Sequence, residues 1–188
     1  MSSRAFIVVP FGVLAVLAGF FTLAYLITTL FRIPQQFGFP LAVRFLGAIL
    51  LLSGFVLFGW LFKYRGPIDI LTSTYVTFTK VGKTRVHLGE RSVRTEPLVV
   101  KGPYRYVRHP LYFDVLVLLL GWWLLLDYSF LLISAFLLLP WFNFVVASFE
   151  ERELRAIFGV DYEEYARRVP KIIPFTSQLS NVFKESGS

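Results

Sequence analysis

Cysteine is absent from all 188 residues, and histidine occurs only at His87 and His109. The first absence excludes disulfides, thiolate nucleophiles and cysteine-held metals, and leaves the redox compartment unreadable. The second excludes a histidine-rich metal centre, so no metal is expected. Charge is scarce as well: Asp, Glu, Lys and Arg make up 16% of the chain, against roughly 25% in an ordinary soluble domain. Internal repeats are missing. What is abundant is apolar surface, with 56% hydrophobic residues, 18% aromatic residues and 21 phenylalanines. This is the composition of a membrane protein, and a chain of this length is expected to form one domain, residues 1–188. The net charge of +7 then reflects topology and anionic headgroups rather than nucleic acid.

A bilayer core takes about 20 apolar residues as a helix. Residues 5–31, "AFIVVPFGVLAVLAGFFTLAYLITTLF", carry no charge and are long enough. Their length and the lack of a small-residue cleavage site favour a retained span over a signal peptide. Residues 41–62 form a second span, with Arg44 near one end, where it can snorkel. Residues 63–110 hold ten Lys or Arg residues; within them "TYVTFTK" and "TRVHLGE" alternate in a way that suggests a small hairpin around "VGK". Two further apolar runs, 111–126 and 129–149, are joined by Asp127 and Tyr128, so an antiparallel helical pair is expected, with a bend at Pro140. Two polar helices follow, "EERELRAIF" and "DYEEYARRV", and the tail 176–188 reads as frayed. The expected fold is all-α, with about four membrane spans. The tail after Glu150 adds six basic residues and the N-terminus adds Arg4, whereas the opposite face carries only Arg32 and Arg44. Both termini and the 63–110 segment are therefore expected in the cytoplasm.

That topology brings two polar stretches to the same membrane surface, "KGPYRYVRHPLY" from Lys101 and "FEERELRAIFG" from Phe149. Each has an ordinary reading. Arg108, His109 and Pro110 suit a basic helix start with proline in the first turn, and Arg105 and Arg108 could hold lipid phosphates. The alternative is a loop whose free helix-start amides meet an anion. Glu150 and Glu151 suit a solvated helix end, with Glu151 and Arg155 as an i,i+4 pair. Yet Glu150 lies two turns beyond Asn143 on one face, close to apolar surface, and a carboxylate there needs a partner. Asp114 sits one turn into an apolar helix. It is either an acid favoured near a helix N-terminus or an intramembrane carboxylate with a function. Asn143 is either interhelical glue or a site residue. His87 reads as a loop histidine.

Together, "LVVKGPYRYVRHPLY" from Leu98, a helical hairpin, and "EERELRAIFGVDYEEYARRVPKIIPF" from Glu150 resemble the isoprenylcysteine carboxyl methyltransferase and phospholipid methyltransferase superfamily. Its members are small integral membrane enzymes that use S-adenosylmethionine. The resemblance covers roughly residues 95–175. It implies that Leu98, Val99 and Tyr104 contact the cofactor, with Glu96 and Pro97 just before them. It implies the same for His109, Pro110, Leu111 and Tyr112, which match an HPxY segment, and for Glu150, which matches the binding glutamate. Such a cofactor offers a carboxylate, an amine, a ribose and a sulfonium, which suit helix-start amides, a carboxylate and tyrosine faces.

One departure stands out. Carboxyl methyltransferases of this superfamily place an arginine four residues before the binding glutamate, where Val146 stands here. Asp114 stands where a small residue is usual. With Arg108, Asn143, Asp114 and Val146 as the acceptor-facing candidates, a chamber that lost a cation and gained an anion favours an amine or phospholipid headgroup. The alternatives are carboxyl methylation of an isoprenylcysteine-like acceptor and a non-catalytic protein that keeps the fold. An amine would need a general base, for which Asp114 and Glu151 are the candidates. The bilayer and a lipidic small molecule are the expected partners.

Overall fold

The computed structural model describes residues 5–81 and 97–174. Its architecture is all-α, with no strand among the described residues. α1 (Ala5–Leu30) and α2 (Leu41–Tyr64) are followed by α3 (Pro67–Val81). A short 3₁₀ turn (Gly102–Arg105) leads to α4 (Pro110–Leu126) and α5 (Ser129–Pro140), then a π-helical segment (Trp141–Val146), α6 (Ala147–Phe158) and α7 (Val160–Arg168). Among the described residues, three helices are long and apolar enough to cross a membrane: Phe6–Leu30, Leu41–Tyr64 and the continuous stretch Ser129–Phe158; α4 is a shorter apolar helix. Their outer surfaces explain why lipid is the solvent. Phe11, Leu41, Phe45 and Phe136 stand exposed on faces with no polar counterpart, which water would penalise and hydrocarbon does not.

α4 lies chiefly along α2, while α1 packs against α5 and α3. Small residues set the α2–α4 seam. A Cβ on Gly47 would stand 2.6 Å from the Leu125 backbone nitrogen, and one on Gly121 would stand 3.0 Å from that of Leu51. Where lipid tails compete equally for apolar side chains, such backbone approach is what makes helix contact favourable. At the same end of the spans as the Gly47–Leu125 contact, Asp127 takes a left-handed conformation at φ 64°. Its carboxylate accepts the amides of Phe37 (3.0 Å), Gly38 (2.6 Å) and Phe39 (3.0 Å). That clamp ties the α1–α2 loop to the α4–α5 turn.

Two expectations meet the coordinates differently. "TYVTFTK" is helical, as the second half of α3, and not one arm of a hairpin. Its alternation is short, and capture of α3 against α1 and α6 overrides a weak local strand preference. The other arm, "TRVHLGE", lies outside the described residues, as do His87, Glu96 and the tail from residue 175 onward. Pro140 is followed directly by the π-helical turn, one of the ordinary causes of a break in a long helix.

Candidate functional site

Pro110 opens α4 as its first residue, and His109 occupies the cap without its side chain capping the helix. The imidazole instead points at α6. Nδ1 lies 3.2 Å from Glu150 Oε2 and Nε2 lies 3.4 Å from Glu151 Oε1. Arg108 Nη2 adds a contact of 3.1 Å to the same Glu151 oxygen. With a carboxylate facing each ring nitrogen, the imidazolium, which has two donors, is the fitting form. Burial opposes its charge, but Glu150 and Glu151 outweigh burial and hold the His109 pKa above its ordinary 6.5. The two backbone amides are fixed as well. Arg108 N–H donates to Pro170 O at 2.9 Å and His109 N–H to Lys171 O at 3.0 Å. Lys171 in turn donates from Nζ to Asn143 O at 2.6 Å and to Ser148 Oγ at 2.8 Å. The chain after α7 thus locks the start of α4 onto the π-helical turn.

An open cleft lies over this cluster. Pro97, Leu98, Val99 and Tyr104 line it from the incoming loop; His109, Pro110, Leu111 and Tyr112 line it from the start of α4, and Glu150 from α6. Residues separated by more than 50 positions thereby share one wall. The His109 ring stacks on Tyr112 at 5.5 Å between centroids, and Tyr112 stacks on Phe142 at 4.8 Å. The incoming loop is set by Gly102. Its φ of 61° is left-handed, and any Cβ there would run into the Tyr64 ring at the end of α2.

Glu151 corrects an expectation. It is not a solvated helix end paired mainly with Arg155. The Arg155 contact is its longest, at 3.5 Å to a side chain that is 46% exposed, whereas Glu151 itself is buried against Arg108 and His109. The four acceptor-facing candidates also separate. Arg108 lines the cleft. Asp114 is buried in α4 beside Gly54 of α2, and neither of its carboxylate oxygens has a hydrogen-bond partner among the described residues. Val146 packs on the apolar core. Asn143 lines a different groove, of about 690 Å³, with Pro140, Phe144 and Lys171. Neither Asp114 nor Val146 lines the cleft. The glycine seam turns the Asp114 face of α4 toward α2 and away from the hairpin partner.

Several cleft residues escaped sequence reasoning. Arg65, Ile70, Ser73 and Thr74, at the end of α2 and on α3, supply a wall from a segment read as a loop. Tyr162 and Tyr165 of α7 line the cleft too, and the Tyr165 hydroxyl donates to Tyr104 O at 2.6 Å. Their i,i+3 spacing was visible and put both rings on one helix face.

The donor set suits S-adenosylmethionine. It offers a carboxylate at Glu150, cations at Arg65 and Arg108, and tyrosine rings at Tyr104 and Tyr112 in one open cleft. Buried Tyr162 Oη, Arg108 Nε and Glu151 Oε1 have no hydrogen-bond partner among the described residues. No metal-holding group of His, Asp or Glu side chains occurs among the described residues.

Comparison with known proteins agrees with this geometry. The chain is 34% identical over 137 residues to methanethiol S-methyltransferase of Crocosphaera subtropica, covering 69% of this chain and 51% of that protein. It is 33% identical over 111 residues to protein-S-isoprenylcysteine O-methyltransferase B of Arabidopsis thaliana, covering 58% of this chain and 55% of that protein. A Schizosaccharomyces pombe protein-S-isoprenylcysteine O-methyltransferase is 37% identical over 78 residues, which are 41% of this chain and 33% of that protein. The chain spans about half the length of the first two. No solved structure matches it. The model of the phospholipid methyltransferase family matches residues 42–161, more than half of the chain and the stretch from α2 through α6, so the chain belongs to that family.

Proposed function

We propose that this protein is an integral membrane enzyme that moves a methyl group from S-adenosylmethionine to an apolar acceptor drawn from the lipid phase. The observation that carries the reading is the single cleft at the end of the spans, lined by Glu150, His109, Arg108 and Tyr104 together. S-adenosylmethionine supplies an electrophilic methyl group on a sulfonium. The chain's own part is to bind and orient. Glu150 suits the amine or ribose, Arg65 and Arg108 suit the carboxylate, and Tyr104 and Tyr112 offer aromatic faces. Transfer to a correctly placed nucleophile draws mainly on positioning.

The acceptor that fits best carries an anionic nucleophile, a carboxylate or thiolate, on an apolar body. This reading departs from the amine preference drawn from Asp114 and Val146, neither of which lines the cleft. Arg65 and Arg108 stand on the cleft wall, where they can meet an anionic acceptor. An anionic nucleophile also needs no general base, and neither Asp114 nor Glu151 lines the cleft. Two relatives are named for acceptors of this kind, a thiol and an isoprenylcysteine. Methyl-labelled S-adenosylmethionine, supplied to the protein in lipid nanodiscs with N-acetyl-farnesylcysteine, methanethiol or phosphatidylethanolamine, tests the reading. Labelling of either of the first two supports it. Labelling of phosphatidylethanolamine alone restores the amine reading, and cofactor binding without any transfer leaves a non-catalytic protein.

The same reading places both termini and residues 63–110 in the cytoplasm, on the strength of the basic-residue bias. Single cysteines at Lys83, Gln36 and Ser180, on a background with none, report it. Labelling of position 83 from outside, with position 36 protected, would invert the topology.

A further inference from the structure

Tyr162 and Tyr165 stand three residues apart on α7, and both line the cleft. Their hydroxyls differ. Tyr165 donates to the Tyr104 carbonyl at 2.6 Å. Tyr162 is fully buried, and its hydroxyl has no partner among the described residues. A buried polar group without a partner forfeits its hydration and gains nothing in return. Arg108 shows the same pattern on the same wall: Nη2 is spent on Glu151, while its buried Nε has no partner. Burial, with Glu151 adding to it, holds the Tyr162 hydroxyl above its ordinary pKa. It is therefore a neutral donor throughout the working pH range.

One acceptor in the same cluster, Glu151 Oε1, is also without a hydrogen-bond partner, but it is a single oxygen already facing Arg108 Nη2 and His109 Nε2, and the two donors belong to residues that line the cleft, where a ligand can bring a second acceptor. We propose that Tyr162 is a cofactor-binding residue whose hydroxyl, with Arg108 Nε, holds the amino-acid carboxylate of S-adenosylmethionine. This rests on the cofactor reading of the cleft. It assigns Tyr162 a role that the HPxY segment and the glutamate pair do not predict. The competing possibility is that the hydroxyl swings to Glu151 and serves the fold alone.

The test uses the full chain in nanodiscs and two ligands, S-adenosylmethionine and 5′-methylthioadenosine, which lacks the amino-acid portion. Tyr162→Phe deletes only the hydroxyl. The expected result is an affinity for S-adenosylmethionine lowered about tenfold, an unchanged affinity for methylthioadenosine, and an unliganded melting temperature that is equal or higher. Tyr165→Phe, which deletes a hydrogen bond already made, should instead lower the melting temperature. Unchanged S-adenosylmethionine affinity in Tyr162→Phe overturns the assignment while the cleft reading stands. Equal weakening of both ligands with a lower melting temperature also overturns it, in favour of a structural hydroxyl. A wild-type protein that binds neither ligand overturns the cleft reading and this assignment with it.

Discussion

Replacing Glu151 by glutamine removes the negative charge that three cations share. Arg155 contributes least, since it is 46% exposed and 3.5 Å away, and an exposed pair is worth at most about 1 kcal/mol. Arg108 at 3.1 Å and His109 at 3.4 Å have side chains only 12% and 5% exposed. Removing one partner of a buried pair costs about 3–5 kcal/mol, because the other charge stays behind unpaired. Water in the adjoining cleft moderates this, so about 3 kcal/mol is expected for Glu151→Gln. Glu150 meets His109 at 3.2 Å, and Glu150→Gln should cost about 1–2 kcal/mol of stability while weakening cofactor binding more. Reversible unfolding in mixed micelles, followed by helical circular dichroism, gives both numbers. Adding an Arg108→Met background completes a double-mutant cycle whose coupling should exceed about 1 kcal/mol. A Glu151→Gln protein as stable as Glu150→Gln, or a vanishing coupling with Arg108, would refute the buried-cluster account and return Glu151 to the helix surface.

Histidine protonation gives a second prediction. Because the folded pKa of His109 is raised above 6.5, its stabilisation is full below that value and is lost as pH rises through the folded pKa. The melting temperature of the wild type should therefore fall between pH 6.5 and alkaline pH relative to His109→Asn, and a flat difference would contradict it. Gly47→Ala should destabilise by about 1–3 kcal/mol through overpacking, because its Cβ meets backbone at 2.6 Å, whereas Gly59→Ala, with open space around it, should be silent in the same unfolding assay. Lys171→Met, which deletes the donors to Asn143 O and Ser148 Oγ, should cost about 1–2 kcal/mol and weaken cofactor binding. Lys171→Arg should restore part of both, as read by unfolding and calorimetry.

The helical class of this protein follows from sequence alone. Runs such as residues 5–31 offer no water to backbone amides and carbonyls inside a bilayer, so only helix satisfies them. Pro110 at a helix start and Gly102 at the start of the 3₁₀ turn are equally local. The cleft residues from Pro97 to Tyr112 and Glu150 were legible because their spacing is a motif. What the tertiary structure alone decided is which way the helices face. A helix that is apolar all round has no preferred side, and nothing in "PLYFDVLVLLL" says that Asp114 looks toward α2. That was settled by Gly47, Gly54 and Gly121, which let two backbones approach. The division of roles between Glu150, which lines the cleft, and Glu151, which is buried, has a similar cause. Neighbouring carboxylates differ by about 100° around a helix axis, and only the position of Arg108 and His109, fixed by the carbonyls of Pro170 and Lys171, selects the buried one. Tyr162 and the α3 wall likewise became site residues only through docking, since burial and an unspent hydroxyl are properties of neighbours and not of the residue that carries them.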